Sequence, residues 1–200
     1  MLKEIVLATR NRHKGEELMA LLGDLGITIR TLADFPDAPD VDEDGATCAA
    51  NAVKKAREIA HATGMVAVAD DTGLEVEALG GRPGVYAARY AGEQATYEDN
   101  CRKLLQELAG VPTQKRTAKF LTVAAIADPT GQVQVTQGIL EGRITDEPIG
   151  DRGFGYDPVF FLPELGKTLA ELTPEEKNGL SHRAKAFANM RVILKTLSAA

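Results

Sequence analysis

The chain has 200 residues, 44% of them hydrophobic and 26% charged, with a formal net charge of −6 at pH 7. Such a composition is ordinary for a globular protein and excludes disorder, a collagen-like fibre and a disulfide scaffold. The acidic balance opposes a broad grip on a nucleic-acid backbone, six Phe and four Tyr without Trp are too few for a single-strand stacking platform, and no apolar run approaches a membrane span.

In chain order, Lys3 to Thr9 reads as a buried strand, a short apolar run with β-branched residues. The period then changes: Leu18, Leu21, Leu22 and Leu25 share a helical face that starts near His13, with Gly26 as a stop. Ile27 to Thr31 is a second strand, which completes a strand–helix–strand unit of α/β type. Ala33 to Gly45 holds two prolines and many acids and reads as a loop; Ala46 to Thr63 is an alanine-rich helix closed by Gly64. Met65 to Ala69 is a strand that ends at Asp70-Asp71-Thr72-Gly73, with Leu74 to Glu77 as its possible continuation, followed by a Gly/Pro loop over Leu79 to Gly84. Thr96 and Asp99 cap a helix bearing Leu104, Leu105 and Leu108. Thr117 to Ala127 and Gln132 to Ile144 are strands joined at Asp128-Pro129-Thr130-Gly131, an expected antiparallel hairpin that makes the sheet mixed. Asp151 to Pro158 is a glycine-rich loop and Val159 to Phe161 a short strand. Thr173-Pro174-Glu175-Glu176 starts a helix, and a last one runs from about His182 to Leu197 with Phe187, Met190, Leu194 and Leu197 inward. No linker interrupts the chain, so a single domain over 1–200 is expected.

Five segments carry groups suited to chemistry. Thr9-Arg10-Asn11-Arg12-His13-Lys14 leaves a strand and enters a helix, where backbone N–H groups with a Lys and hydroxyls suit a phosphate; the bland alternative is a capped, basic helix start. Asp70-Asp71-Thr72-Gly73 places adjacent carboxylates at a strand end, where a hard cation such as Mg²⁺ could sit; the alternative is an Asx-type turn. The acidic loop ending in Glu43-Asp44-Gly45 could add a ligand opposite Asp71, or be a solvated run. In Gly153-Phe154-Gly155-Tyr156-Asp157-Pro158, glycines allow close approach to a flat ligand, Phe154 or Tyr156 could stack on a base, and Asp157 could accept from a ring nitrogen, against the reading of an aromatic turn. Lys177 and Ser181-His182-Arg183 put donors around a helix start, against the reading of a Ser N-cap followed by surface cations; a Ser/His triad is disfavoured because adjacent residues there do not face each other.

Taken together, Thr-x-Asn-x-x-Lys (Thr9, Asn11, Lys14), Ala-Asp-Asp-Thr-Gly-Leu (Ala69 to Leu74), Gly-x-Tyr-x-Ala-Arg-Tyr (Gly84 to Tyr90), Gly-Phe-Gly-Tyr-Asp-Pro (Gly153 to Pro158) and Ser-His-Arg (Ser181 to Arg183) resemble the inosine/xanthosine triphosphate pyrophosphatase family over about Ile5 to Leu197. The resemblance implies an elongated α/β fold with a mixed twisted sheet flanked by helices, two lobes with an active-site cleft between them, and a homodimer. It implies Mg²⁺-dependent hydrolysis of ITP, dITP and XTP to the monophosphate and pyrophosphate. On its terms Asp71 is the catalytic carboxylate and a metal ligand, with Asp70 beside it and Glu43 as the second metal acid. Thr9, Arg10, Asn11, Arg12, His13, Lys14 and Lys55 face the phosphates; Thr72, Phe154, Gly155, Tyr156, Asp157, Lys177, His182 and Arg183 bind the nucleotide. This sequence departs from the family at Thr72, often Ser, at Arg10, often Gly or Asn, and at Ala50 before Asn51, often Glu. A donor such as Arg183, or a backbone N–H, is expected to select the 6-oxo group of hypoxanthine over the amino group of adenine. A non-catalytic nucleotide binder on the same fold, or a pyrophosphatase for another modified nucleotide, are the alternatives. Cys48 and Cys101 form no ligand spacing or framework, and the N-terminus does not read as a signal peptide, so a reducing cytoplasm is expected.

Overall fold

The computed structural model describes residues 2–199. It is a mixed α/β protein whose strands β1 (Glu4–Leu7), β2 (Thr28–Thr31), β3 (Ala67–Val76), β4 (Pro83–Gly84), β5 (Thr117–Ala127), β6 (Val133–Ile144), β7 (Phe160–Leu162) and β8 (Lys167–Thr168) form one sheet in the order β2-β1-β3-β5-β6-β7-β8, with β4 on β3. β1 pairs in parallel with β2 and β3, whereas β6, β7 and β8 pair antiparallel, so the expected mixed sheet is present. The helices are α1 (Arg12–Leu22), α2 (Cys48–Thr63), α3 (Tyr97–Glu107), α4 (Pro174–Leu180) and α5 (His182–Ala199).

Local chemistry sets the helix ends. Asn11 accepts from the Lys14 amide at 3.2 Å and Thr47 from the Ala50 amide at 3.1 Å, each satisfying an amide that the first turn leaves open. Thr96 with Asp99, and Thr173 with Glu176, form reciprocal capping boxes, and Pro174 takes the first helical position, where its missing N–H costs nothing. Gly64 closes α2 at φ 66°, a left-handed turn that favours glycine. α1 stops at Leu22 rather than near Gly26, so Leu25 packs against the core from beyond the helix.

The largest departure from the sequence reading is β3. Aspartates disfavour strands, and Asp70-Asp71-Thr72-Gly73 reads as a strand end, yet β3 continues through them to Val76. The flanks explain this: Ala67, Val68 and Ala69 on one side and Leu74 and Val76 on the other are buried, and the carboxylates find cationic and amide partners. An Asx-type turn at this point is therefore excluded.

The chain falls into two compact units, one of residues Met1–Asp71, Thr122–Gly138 and His182–Ala200, the other of Thr72–Leu121 and Ile139–Ser181. The first has a core of Ile5, Leu7, Leu18, Leu22, Val68, Ile126, Phe187, Met190 and Leu194, among others. Phe187, Met190 and Leu194 of α5 point inward as the spacing predicts. The second has its own core around Leu74, Leu104, Leu108, Phe120, Ile144, Phe160 and Leu169. Arg116, buried in the second unit, donates to the carbonyls of Leu108, Val111 and Thr145 at 3.1, 2.9 and 2.8 Å, so a cation satisfies the C-terminal end of α3.

Candidate active site

In the first unit, β3 and the N-terminal ends of α1 and α5 bring charged groups together. The Asp70 side chain is fully buried; Lys14 Nζ lies 3.3 Å from its Oδ2, and Arg183 donates to the same oxygen from Nη2 at 3.1 Å and Nε at 3.2 Å. Burial alone would raise the Asp70 carboxyl, but Lys14, Arg183 and Lys55 outweigh it and hold the group well below the usual carboxylate range. Asp70 is thus an ionised anchor. Arg183 Nη1 also donates to Glu17 Oε2 at 2.5 Å, so its guanidinium is fixed between two carboxylates. The expectation that Arg183 reads the 6-oxo group meets a side chain already committed to Asp70 and Glu17.

Asp71 differs. Burial raises its carboxyl, and the charge of Glu43 pushes the same way, against Lys14, Lys55 and a hydrogen bond from Asn51. Asn51 Nδ2 donates to Asp71 Oδ2 at 3.0 Å, while Asn51 Oδ1 accepts from the Gly45 amide at 2.8 Å. One buried amide therefore ties the acidic loop to the aspartate. A Cβ at Gly45 would land within 3.0 Å of Asn51 Oδ1 and Ala50 Cβ, so the loop passes this point only as glycine. The motifs missed Asn51 and Glu17 because one residue is a polar side chain on an alanine-rich helix and the other lies one turn after Lys14. A buried Asn among alanines is a signal that could have found the first.

Lys55 donates from Nζ to Glu43 Oε1 and to the Asp70 carbonyl, both at 2.6 Å. Desolvation lowers its pKa, but the carboxylates of Asp70, Glu43 and Asp71 outweigh that and leave it raised, hence a cation. Thr9 accepts from the Asn11 amide at 3.2 Å and shapes the turn into α1. Arg10 does not turn towards this cluster: it donates to the Ala38 carbonyl at 2.9 Å and pairs with Asp40 on the acidic loop. Arg12 pairs with Glu16 along the exposed face of α1 at 2.8 Å, and His13 is exposed beside it. His182, buried at the start of α5, has Nδ1 2.6 Å from Thr122 Oγ1.

The family resemblance implies a divalent cation, and the donors present fit a hard one. Asp71 and Glu43 offer carboxylate oxygens close enough for their charges to interact. Among the described residues no group of three or more His, Cys, Asp or Glu is placed to hold a metal ion by itself. Mg²⁺ needs only one or two carboxylates, with waters and substrate phosphates completing its shell.

The second unit holds a different group. Lys177 Nζ donates to Asp157 Oδ2 at 2.6 Å and lies 4.7 Å from the Phe154 ring centroid. The Phe154 amide donates to the same Asp157 oxygen at 2.9 Å, and Tyr97 packs its ring 5.8 Å from that of Phe154. Gly153, at φ 73°, makes the turn possible, since a Cβ there would lie within 3.0 Å of the Asp157 carboxylate. Gly155 follows at φ 64°, and its carbonyl accepts from the Cys101 thiol at 3.3 Å. Burial pushes that thiol up to about 12. Tyr156, expected as a stacking ring, is instead in the core: it is 5% exposed, and its hydroxyl donates to the Ala87 carbonyl at 2.8 Å. The tyrosine follows the apolar pattern of the strand it precedes, and Phe154 is the half-buried ring of the loop. Thr72 begins this unit and is half-buried.

The family model of the Ham1 family matches residues 5–193. A relative from Geobacillus kaustophilus (strain HTA426), named dITP/XTP pyrophosphatase, is 52% identical over 189 residues, 94% of this chain and 93% of the relative. One of the same name from Geobacter sulfurreducens is 51% identical over 187 residues, 94% of each chain. Among solved structures, a HAM1 protein from Coxiella burnetii superposes with a TM-score of 0.89 at 41% identity, covering 98% of this chain and 100% of that one. The Staphylococcus aureus Ham1 protein gives 0.86 at 38% identity over 97% and 99%. With its motifs, its mixed sheet and these matches in agreement, the chain belongs to the Ham1 family.

Proposed function

We propose that the protein is a nucleoside triphosphate pyrophosphatase that hydrolyses noncanonical purine nucleotides, dITP, XTP and ITP, to the monophosphate and pyrophosphate. The observation that carries the reading is the unequal pair on β3: Asp70 is held ionised by Lys14 and Arg183, while Asp71 is raised by burial and steered by Asn51. Two neighbouring carboxylates whose environments push them apart divide the roles of anchor and base.

Asp71 accepts the proton of the attacking water; its raised carboxyl makes it a better acceptor than a solvated aspartate. Asn51 fixes the Asp71 carboxylate through Oδ2. Lys14 and Lys55 supply positive charge to the phosphates, and Asp70 keeps Lys14 in place. Asp71 and Glu43 would hold Mg²⁺, which when bound neutralises charge on the phosphate oxygens. In the second unit Phe154 offers a ring face to the base, with Asp157 as a polar partner. The reading includes a homodimer and a cytoplasmic location, as the family resemblance implies; Cys48 and Cys101 are in no disulfide, which suits a reducing compartment.

The test is a panel of ITP, dITP, XTP, ATP and dUTP assayed with Mg²⁺ and with EDTA. High kcat/KM for the three oxopurines, low values for ATP and dUTP, and loss of turnover in EDTA are expected. Tight binding of ITP without turnover would replace the enzyme by a nucleotide-binding protein, and preference for dUTP would move the substrate class.

A further inference from the structure

Glu43, one of the two acids assigned to the metal, stands on a loop that no hydrophobic core holds: among the described residues, none from 33 to 45 is buried. Polar ties set the position of such a segment instead. Its second half is fastened to α2, by Lys54 to Asp44 at 2.8 Å, by Lys55 to Glu43 at 2.6 Å and by Asn51 to the Gly45 amide at 2.8 Å. Its first half is fastened to the segment before α1: Arg10 donates from Nη2 to the Ala38 carbonyl at 2.9 Å and pairs through Nε with the Asp40 carboxylate. We propose that Arg10 is a positioning residue which, through Ala38 and Asp40, holds Glu43 where a divalent cation shared with Asp71 requires it.

Both ends of this tie are stiff. Arg10 grips the loop on either side of Pro39, whose ring fixes its own φ and restricts Ala38 to extended backbone. The base of Arg10 is fixed as well. Two residues before it the Ala8 amide donates to the Val68 carbonyl at 2.8 Å, and directly after it Asn11 donates its amide to Thr9 Oγ1 at 3.2 Å and caps α1. The planar fork of arginine meets a carbonyl and a carboxylate at once, where a lysine ammonium would act as a single point charge. The pair is exposed, so its effect is modest: it narrows the freedom of a loop that little else restrains, rather than carrying the fold.

The proposal rests on the pyrophosphatase reading for the use of the cation, but its test needs no turnover. Mn²⁺ suits the same carboxylate oxygens as Mg²⁺. It is titrated into the nucleotide-free full chain, and the free ion is counted by its electron paramagnetic resonance signal. Charge alone would make Arg10→Ala bind the ion more tightly, because a nearby cation is removed, and Asp40→Ala less tightly. Positioning predicts the opposite sign for Arg10: Arg10→Ala should weaken Mn²⁺ binding about three- to tenfold, and Asp40→Ala by no more than that. The double variant should bind within about twofold of Arg10→Ala alone, because one tie is lost in each. In a Glu43→Gln background Arg10→Ala should change the affinity by less than about twofold, since the residue it positions is gone. Unchanged or tighter binding in Arg10→Ala, additive losses in the double variant, the same loss without Glu43, or no saturable Mn²⁺ binding by the wild type would overturn the proposal. With ITP at saturating Mg²⁺, kcat and KM of Arg10→Ala should stay within about twofold of wild type. A raised KM there would place Arg10 on the phosphates and overturn the positioning role. Absence of pyrophosphate release from ITP by the wild-type protein would instead overturn the functional reading, with the Mn²⁺ titrations still deciding the role of Arg10.

Discussion

Asp70→Asn removes one negative charge at nearly constant shape from a site with no solvent to take over. In the native protein the Asp70 carboxylate accepts two N–H groups of Arg183 at 3.1 and 3.2 Å and faces Lys14 at 3.3 Å. Arg183 is 2% exposed, so its guanidinium cannot turn to water; it keeps its contact with Glu17 but loses the Asp70 charge. Breaking a buried pair by removing one partner costs about 3–5 kcal/mol, a large share of the roughly 5–15 kcal/mol that a domain has in total. At about 2–4 °C per kcal/mol for a chain of this length, Tm should fall by roughly 6–20 °C at pH 7. The acid limb gives a second reading. A carboxyl held low in the folded state and near 3.9 when unfolded contributes stability that is complete above about pH 4 and is lost as the pH falls below that towards the folded value. The gap in urea stability between wild type and Asp70→Asn should therefore be constant from pH 8 to 5 and narrow below pH 4. A Tm within 2 °C of wild type, or a gap that does not depend on pH, would refute the view of Asp70 as a buried ionised anchor.

Three further outcomes are expected. Asp71→Asn should lose most of kcat while keeping nucleotide affinity within about an order of magnitude, measured by steady-state kinetics and calorimetry. Asn51→Ala cuts the link between the Gly45 amide and Asp71, and should lower kcat/KM by about 10–100-fold while Tm falls by only a few degrees; kinetics at saturating Mg²⁺ checks this. Gly138→Ala forces a Cβ against backbone atoms of α5 that cannot yield by rotamer change, and should destabilise by about 1–3 kcal/mol or more in urea.

Much of this was legible in the chain because local chemistry set it. Thr96 with Asp99 and Thr173 with Glu176 cap helices where the four-residue spacing says they should, and the alanine-rich run before Gly64 is a helix closed by a left-handed glycine. Local preference leaves β3 interrupted between Ala69 and Leu74, because its aspartates are unfavourable in a strand by themselves and are rescued by residues far along the chain: Lys14 and Arg183 both meet Asp70 Oδ2. The same distance hid Glu17, whose partner is 166 residues away, and Thr122, whose partner is 60 residues away. Residue type alone also misplaced two groups. Tyr156 has the ring of a stacking residue, but its hydroxyl finds Ala87 inside the core, and Arg10 sits in the phosphate segment yet reaches back to Ala38 and Asp40. Side chains long enough to reach several partners are the ones whose direction a motif cannot give.

The central claim concerns which bond breaks, and phosphorus NMR of the products of ITP reports it directly. With Mg²⁺ and the wild-type protein, the α, β and γ signals of ITP should decay together into one inosine monophosphate signal and one pyrophosphate signal. Accumulation of inosine diphosphate with orthophosphate would place cleavage at the terminal phosphate and contradict the account.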